Sequence, residues 1–200
     1  MDTKRWEFYL GLVAPVFSLV FVFLSTVISS GFSWTNNYLS DIGGGKFGPI
    51  SQDLFNYTLI IGGILLILFS IFLIINVRGK GALFASSFII LIASISFTLI
   101  GIFTEGSPLH YYVSMGFFLL MPVGIIVASL YYYKKNNIFM AFSIFLALIS
   151  ILVILELPLG MGKAIPEYVE ATLLSIWIIL FVLLRKMRPE IKSKNLEAAL

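Results

Sequence analysis

Asp41, Glu105 and His110 are the residues whose types could do chemistry in this chain. His110 is the single histidine, and it follows Glu105 closely. An imidazole can serve as general base, ligand or hydrogen-bonding group, and a nearby carboxylate can orient it. Ser40 precedes Asp41, so Ser40, Asp41 and His110 have the composition of a nucleophile–base set. Asp41, Glu105 and His110 have the composition of a site for a hard or borderline metal ion. No nucleophile elbow supports the first reading, and no ligand spacing demands the second. One histidine supplies neither bis-histidine haem ligation nor a three-histidine zinc site. The chain has no cysteine, hence no thiolate ligand and no disulfide. No metal and no cofactor is therefore expected. A structural network closing the loops is the third reading of the same residues. The candidate catalytic residues are Asp41, Glu105 and His110. The candidate ligand-binding residues are Asn37, Ser40, Asp41, Asn56, Glu105 and His110.

The elements that must position them are membrane helices. Hydrophobic residues make up 60% of the 200 residues and charged residues 12%. Soluble domains average about 45–50% and about 25%. Mean hydropathy is +1.04. Several apolar runs exceed the roughly 18 residues that mark a membrane span. Spans are expected at about 7–30, 54–77, 82–103, 110–133, 138–157 and 168–184. The fold class is thus an all-α membrane protein: a six-transmembrane-helix bundle in a single domain, followed by a basic tail at 185–200. The first run is longer than the roughly 7–15 apolar residues of a signal peptide, so it reads as a retained helix. Pro15 and Pro122 should bend their helices, and Pro189 should end the last one. Gly62-Gly63 reads as a close helix contact. Ser86, Ser87, Ser94, Ser96 and Thr98 offer hydroxyls to a neighbouring helix or to the backbone. Tyr131-Tyr132-Tyr133 with Lys134-Lys135 reads as an interfacial aromatic belt with a cationic anchor.

Six spans place eleven basic residues on the side of the termini and two, Lys46 and Lys163, on the other. The positive-inside rule then puts both termini in the cytoplasm of a multi-pass cell-membrane protein. The opposite face is acidic, with Asp41, Asp53, Glu105, Glu156, Glu167 and Glu170. Asp53, Glu167 and Glu170 suit first helical turns, where the dipole favours anions, and read as solvated. The segment from Trp34 to Gly45 is polar and turn-rich, and is expected to close over a polar cluster as a membrane-surface loop. Its Gly43-Gly44-Gly45 lacks the following Lys-Ser/Thr of a phosphate loop and reads as a flexible positive-φ turn.

The run Asn37-Tyr-Leu-Ser-Asp-Ile-Gly43 after the first span resembles the Ser-Asp-Leu-Gly signature of the domain of unknown function 998 family. Asp53-Leu-Phe-Asn56, Gly101-Ile-Phe-Thr-Glu105 and His110 stand at the matching ends of later spans. Thr104-Glu105 replaces the Pro-Glu or Pro-Asp common in that family, which removes a rigid turn and keeps the acid. The resemblance covers most of the chain and is similar in layout to DRAM-like six-span proteins. It implies a six-helix bundle with polar residues gathered on one face. It implies no reaction.

Three function classes fit these residues. The first is a non-catalytic accessory subunit, or a binder of lipid or another small molecule. The second is a membrane-embedded enzyme on a lipid-like substrate, using Asp41 and His110 with Glu105 as orienting group. The third and weakest is a transporter, with Glu156 in a proton path. Expected partners are membrane lipids and, for an accessory subunit, other membrane proteins. Nucleic acid is not expected, because the net charge of +3 comes from the basic residues on the side of the termini.

Overall fold

A computed structural model describes residues 2–155 and 163–197, with side chains through Lys186, and these described residues form seven α-helices. They are α1 (Thr3–Ile28), α2 (Ser40–Gly43), α3 (Pro49–Asn76), α4 (Ala82–Ile102), α5 (His110–Leu130), α6 (Asn137–Ile154) and α7 (Ala164–Glu197). Among the described residues there is no strand, and six helices, all but α2, are long and apolar enough to cross a membrane. Glu156, the expected end of the fifth span at 157, and the side chains of Arg188, Lys192 and Lys194 lie outside the described residues.

Helix starts follow local chemistry. The Asp2 side chain accepts from the Arg5 N–H at 3.2 Å, so α1 begins before the apolar run does. Pro49 occupies the first turn of α3, where its missing N–H would have had no helical partner. Pro189 does not end α7, whose backbone runs on to Glu197. A proline deletes one backbone hydrogen bond, and the residues after it are mostly good helix formers.

Each long helix packs on its neighbours in the chain, and α7 returns to α1, closing a ring. The N-terminus, the α3–α4 and α5–α6 turns and the membrane exit of α7 share one end, called here the terminal end. The α1–α3 loop containing α2 and the α4–α5 turn share the other, the loop end.

In lipid, apolar area alone gives helices little reason to associate; close packing and interhelical bonds do that work. A methyl on Gly62 would strike the Ser18 hydroxyl of α1, and one on Gly63 would come within 2.8 Å of the Thr98 backbone of α4. Gly62 and Gly63 therefore seat α3 against both neighbours. Ser70 and Ser94 hydroxyls meet at 3.3 Å between α3 and α4. The fully buried Trp177 donates its indole N–H to Ser143 Oγ at 2.8 Å, joining α7 to α6. Large apolar side chains such as Ile92, Phe145 and Leu180 point outward, as a lipid-facing surface requires.

Candidate functional site

The loop end is built first by Asp41. Its Oδ2 accepts from the Tyr38 N–H at 3.0 Å and from Asn37 Nδ2 at 3.4 Å, and its Oδ1 accepts from Lys46 Nζ at 3.1 Å. Burial opposes ionisation of this carboxyl, but the bonds from Lys46, Tyr38 and Asn37 outweigh it, and its pKa lies below the usual value. The Gly43 carbonyl accepts from Gln52 Nε2 and Asn56 Nδ2, both at 3.1 Å, which ties α2 onto the start of α3. The three glycines divide the work. A methyl on Gly43 would lie 2.6 Å from Asn56 Oδ1, and one on Gly44 would lie 3.1 Å from Glu105 Cβ. Only Gly45 of the three takes positive φ, +85°. The first two are there for close approach and the last for the turn.

The α4–α5 turn carries the second group. His110 Nδ1 lies 2.8 Å from the Phe103 carbonyl. A carbonyl only accepts, so Nδ1 carries the proton. Nε2 then faces Ser114 Oγ at 3.4 Å and Glu105 Oε2 at 3.1 Å. In the neutral ring Nε2 accepts from the Ser114 hydroxyl. In the protonated ring it donates to Glu105.

The structure brings Glu105 and His110 together and sets Asp41 apart. No hydrogen bond or ion pair joins Asp41 to His110 or Glu105 among the described residues. The expected Asp41–His110 acid–base pair is therefore not assembled. The reason is register: Ser40 and Asp41 are successive residues of α2, about 100° apart around its axis. Ser40 shares a cavity wall with His110, while Asp41 binds the loop's own backbone. Asn37 and Asn56 likewise serve the loop: Asn37 Oδ1 accepts from the Ser33 N–H at 3.0 Å. Among the described residues, no three His, Asp or Glu side chains gather as a metal site would require. Asp53 is exposed as expected, but Glu167 and Glu170 are not solvated loop acids. Glu167 Oε2 accepts from the Leu39 N–H at 2.6 Å. Glu170 is fully buried against α6, where Ser150 donates to its Oε1 at 3.1 Å.

Glu105, His110, Ser114, Ser40, Lys163 and Glu167 wall a cavity of about 510 Å³ at the loop end. Beneath it a narrow slot of about 80 Å³ descends the axis of the ring to Met121, Leu174 and Ile178. Ser40, His110, Ser114, Phe118 and Glu167 line both spaces. The site thus has a polar mouth over an apolar throat. Of its members, Lys163 and Glu167 went unrecognised in the sequence as site residues. Ser114 had one signal, its helical spacing from His110.

An apolar ring of six spanning helices is a multi-pass integral membrane protein. Residues 12–184 match the family described as "Protein of unknown function (DUF998)", and the chain belongs to that family. No curated protein and no solved structure matches the chain.

Proposed function

We propose that this protein is a non-catalytic binder of a lipid-like amphiphile. The head would sit in the loop-end cavity and an apolar tail would enter the slot. One observation carries the reading: five residues form a shared rim between a polar cavity and an apolar channel on the bundle axis. Ligand sites are commonly mostly apolar, with a few placed polar groups that fix orientation. His110 and Glu167 supply those groups, and both are fixed by backbone contacts before any ligand arrives. The charge split of the sequence supports cytoplasmic termini, which would open the cavity on the outer face of the cell membrane.

The test is gentle purification followed by native mass spectrometry and lipid analysis. The expected result is a retained amphiphile. Filling the slot with Ala171→Phe or Met121→Trp should remove it from a folded protein. A wild-type protein that carries no amphiphile, or slot-filled variants that keep it, would overturn the reading. Migration inside a larger complex of fixed stoichiometry would favour an accessory subunit.

One observation favours a hydrolytic alternative. With Nδ1 held by Phe103, a neutral His110 would take the Ser114 hydroxyl proton on Nε2 as Oγ adds to an acyl carbon, and would return it to the leaving group as the bond to that group breaks. Covalent labelling of Ser114 by an alkyl fluorophosphonate would move that alternative ahead.

A further inference from the structure

The terminal end holds a second cavity, of about 630 Å³, which the loop-end site does not involve. Five cationic side chains line it: Lys4 and Arg5 from α1, Lys80 from the α3–α4 turn, and Arg185 and Lys186 from α7. Two acids line it as well, and both are already engaged. Asp2 caps α1 through the Arg5 N–H. The buried Glu7 receives Arg185 Nε at 2.7 Å, Arg185 Nη2 at 3.1 Å and Asn76 Nδ2 at 2.8 Å. Thr3 holds Asn76 in turn, at 2.7 Å. These contacts form a rigid floor.

Among the described residues, the four cations other than Arg185 form no ion pair. Lys186 Nζ sits over the Phe8 ring at 4.3 Å, and Arg5 over Tyr9 at 5.6 Å. Neither Lys4 nor Lys80 forms an ion pair among the described residues. Burial, then Arg185, with Lys4 and Lys135 beyond and against the pull of Glu7, hold the Lys80 ammonium below the usual lysine pKa. Arg185 uses two of the five N–H donors of a guanidinium on Glu7, which leaves donors for a further acceptor. A bias of basic residues toward one membrane face needs only charges near span ends. It does not need a walled cavity in which five cations outnumber two acids, one buried and paired and the other capping a helix.

We propose that this cavity binds a phosphate group, with Lys4, Lys80 and Lys186 as its charge partners and Arg185 as the fixed donor at its base. Phosphate is the anion that several convergent ammonium and guanidinium groups match. Two sources carry it here: the headgroup of an anionic phospholipid, and a soluble phosphate.

The experiment uses the full chain, in nanodiscs and in mild detergent. One arm offers nanodiscs of phosphatidylcholine mixed with phosphatidylglycerol and reads lipid co-isolated after detergent extraction. The other offers inorganic phosphate and pyrophosphate and reads binding by native mass spectrometry. Two variants, Lys80→Gln and the pair Lys4→Gln/Lys186→Gln, should each lower binding about tenfold with Tm unchanged. The control pair Arg78→Gln/Lys134→Gln removes two cations of the same end that do not line the cavity, and should leave binding intact. Enrichment of phosphatidylglycerol alone identifies a headgroup site. Binding of inorganic phosphate or pyrophosphate identifies a soluble ligand. No binding in either arm overturns the proposal, and so does a control pair that weakens binding as much as the cavity variants.

Discussion

The Arg185 guanidinium grips the Glu7 carboxylate through two bonds, 2.7 and 3.1 Å long, and so ties the last span to the first. Glu7 is 4% exposed. Removing one member of a buried pair leaves the other uncompensated, at a cost of about 3 kcal/mol. Glu7→Leu and Arg185→Leu should each lower Tm markedly in detergent. The double variant Glu7→Leu/Arg185→Leu should recover much of that loss, since no lone charge remains. A double-mutant cycle by thermal unfolding reads the coupling directly. Additive losses would show that the pair is not energetically linked.

The glycine pair in α3 gives a steric prediction with an internal contrast. A methyl at Gly63 meets the Thr98 backbone at 2.8 Å, which cannot rotate away. Gly63→Ala should cost about 1–3 kcal/mol by forcing α3 and α4 apart. A methyl at Gly62 first meets the Ser18 hydroxyl, the end of a side chain. Gly62→Ala should cost less, and less still with Ser18→Ala. Equal losses at the two glycines would contradict this packing.

The architecture was legible in the sequence because it rests on composition and on signals local to each helix. Apolar runs longer than a bilayer needs, a lopsided basic count and paired glycines need no tertiary information. The pairings were not legible. Glu7 and Arg185 stand 178 residues apart, and nothing near either residue points to the other. Tyr131 to Tyr133 read as one aromatic belt, yet Tyr132 is 1% exposed and packs on Phe139, while Lys135 covers Tyr131 at 3.6 Å. Helical rotation decides which tyrosine turns inward. The same rotation within the four residues of α2 sent Ser40 to the cavity and Asp41 to the loop. Glu170 looked like a solvated helix-start acid because its burial depends on α6, a different segment.

Asp41 makes the loop sensitive to acid. Its folded-state pKa is depressed below the ordinary value of 3.8. The stability it contributes is therefore complete above about pH 4 and is lost as pH falls through the folded-state value. Hydrogen exchange across residues 37–46 should quicken below pH 3.8, with the membrane helices still protected. Asp41→Asn should show quick exchange of this loop at neutral pH and a flatter acid response. The loss at neutral pH should be about 1–2 kcal/mol, the scale of a few hydrogen bonds to a partly exposed carboxylate. An acid response unchanged in Asp41→Asn would assign it to another group.

His110 gives the prediction closest to the site. The Phe103 carbonyl that fixes its Nδ1 proton is a backbone group at the end of α4, so the tautomer should not depend on neighbouring side chains. Nitrogen-15 NMR of the neutral imidazole should show the Nδ1–H form in the wild type, in Ser114→Ala and in Glu105→Gln. His110→Ala should cost about 1 kcal/mol through the lost bond to Phe103. In the proposed complex, a hydroxyl or amide of the amphiphile's head would take the place of the Ser114 hydroxyl as donor to the Nε2 lone pair that this tautomer presents. A bound ligand should then shift Nε2 and leave Nδ1 nearly unchanged. An Nε2–H tautomer in the wild type would reverse the roles of Ser114 and Glu105, and would remove the acceptor on which this recognition rests.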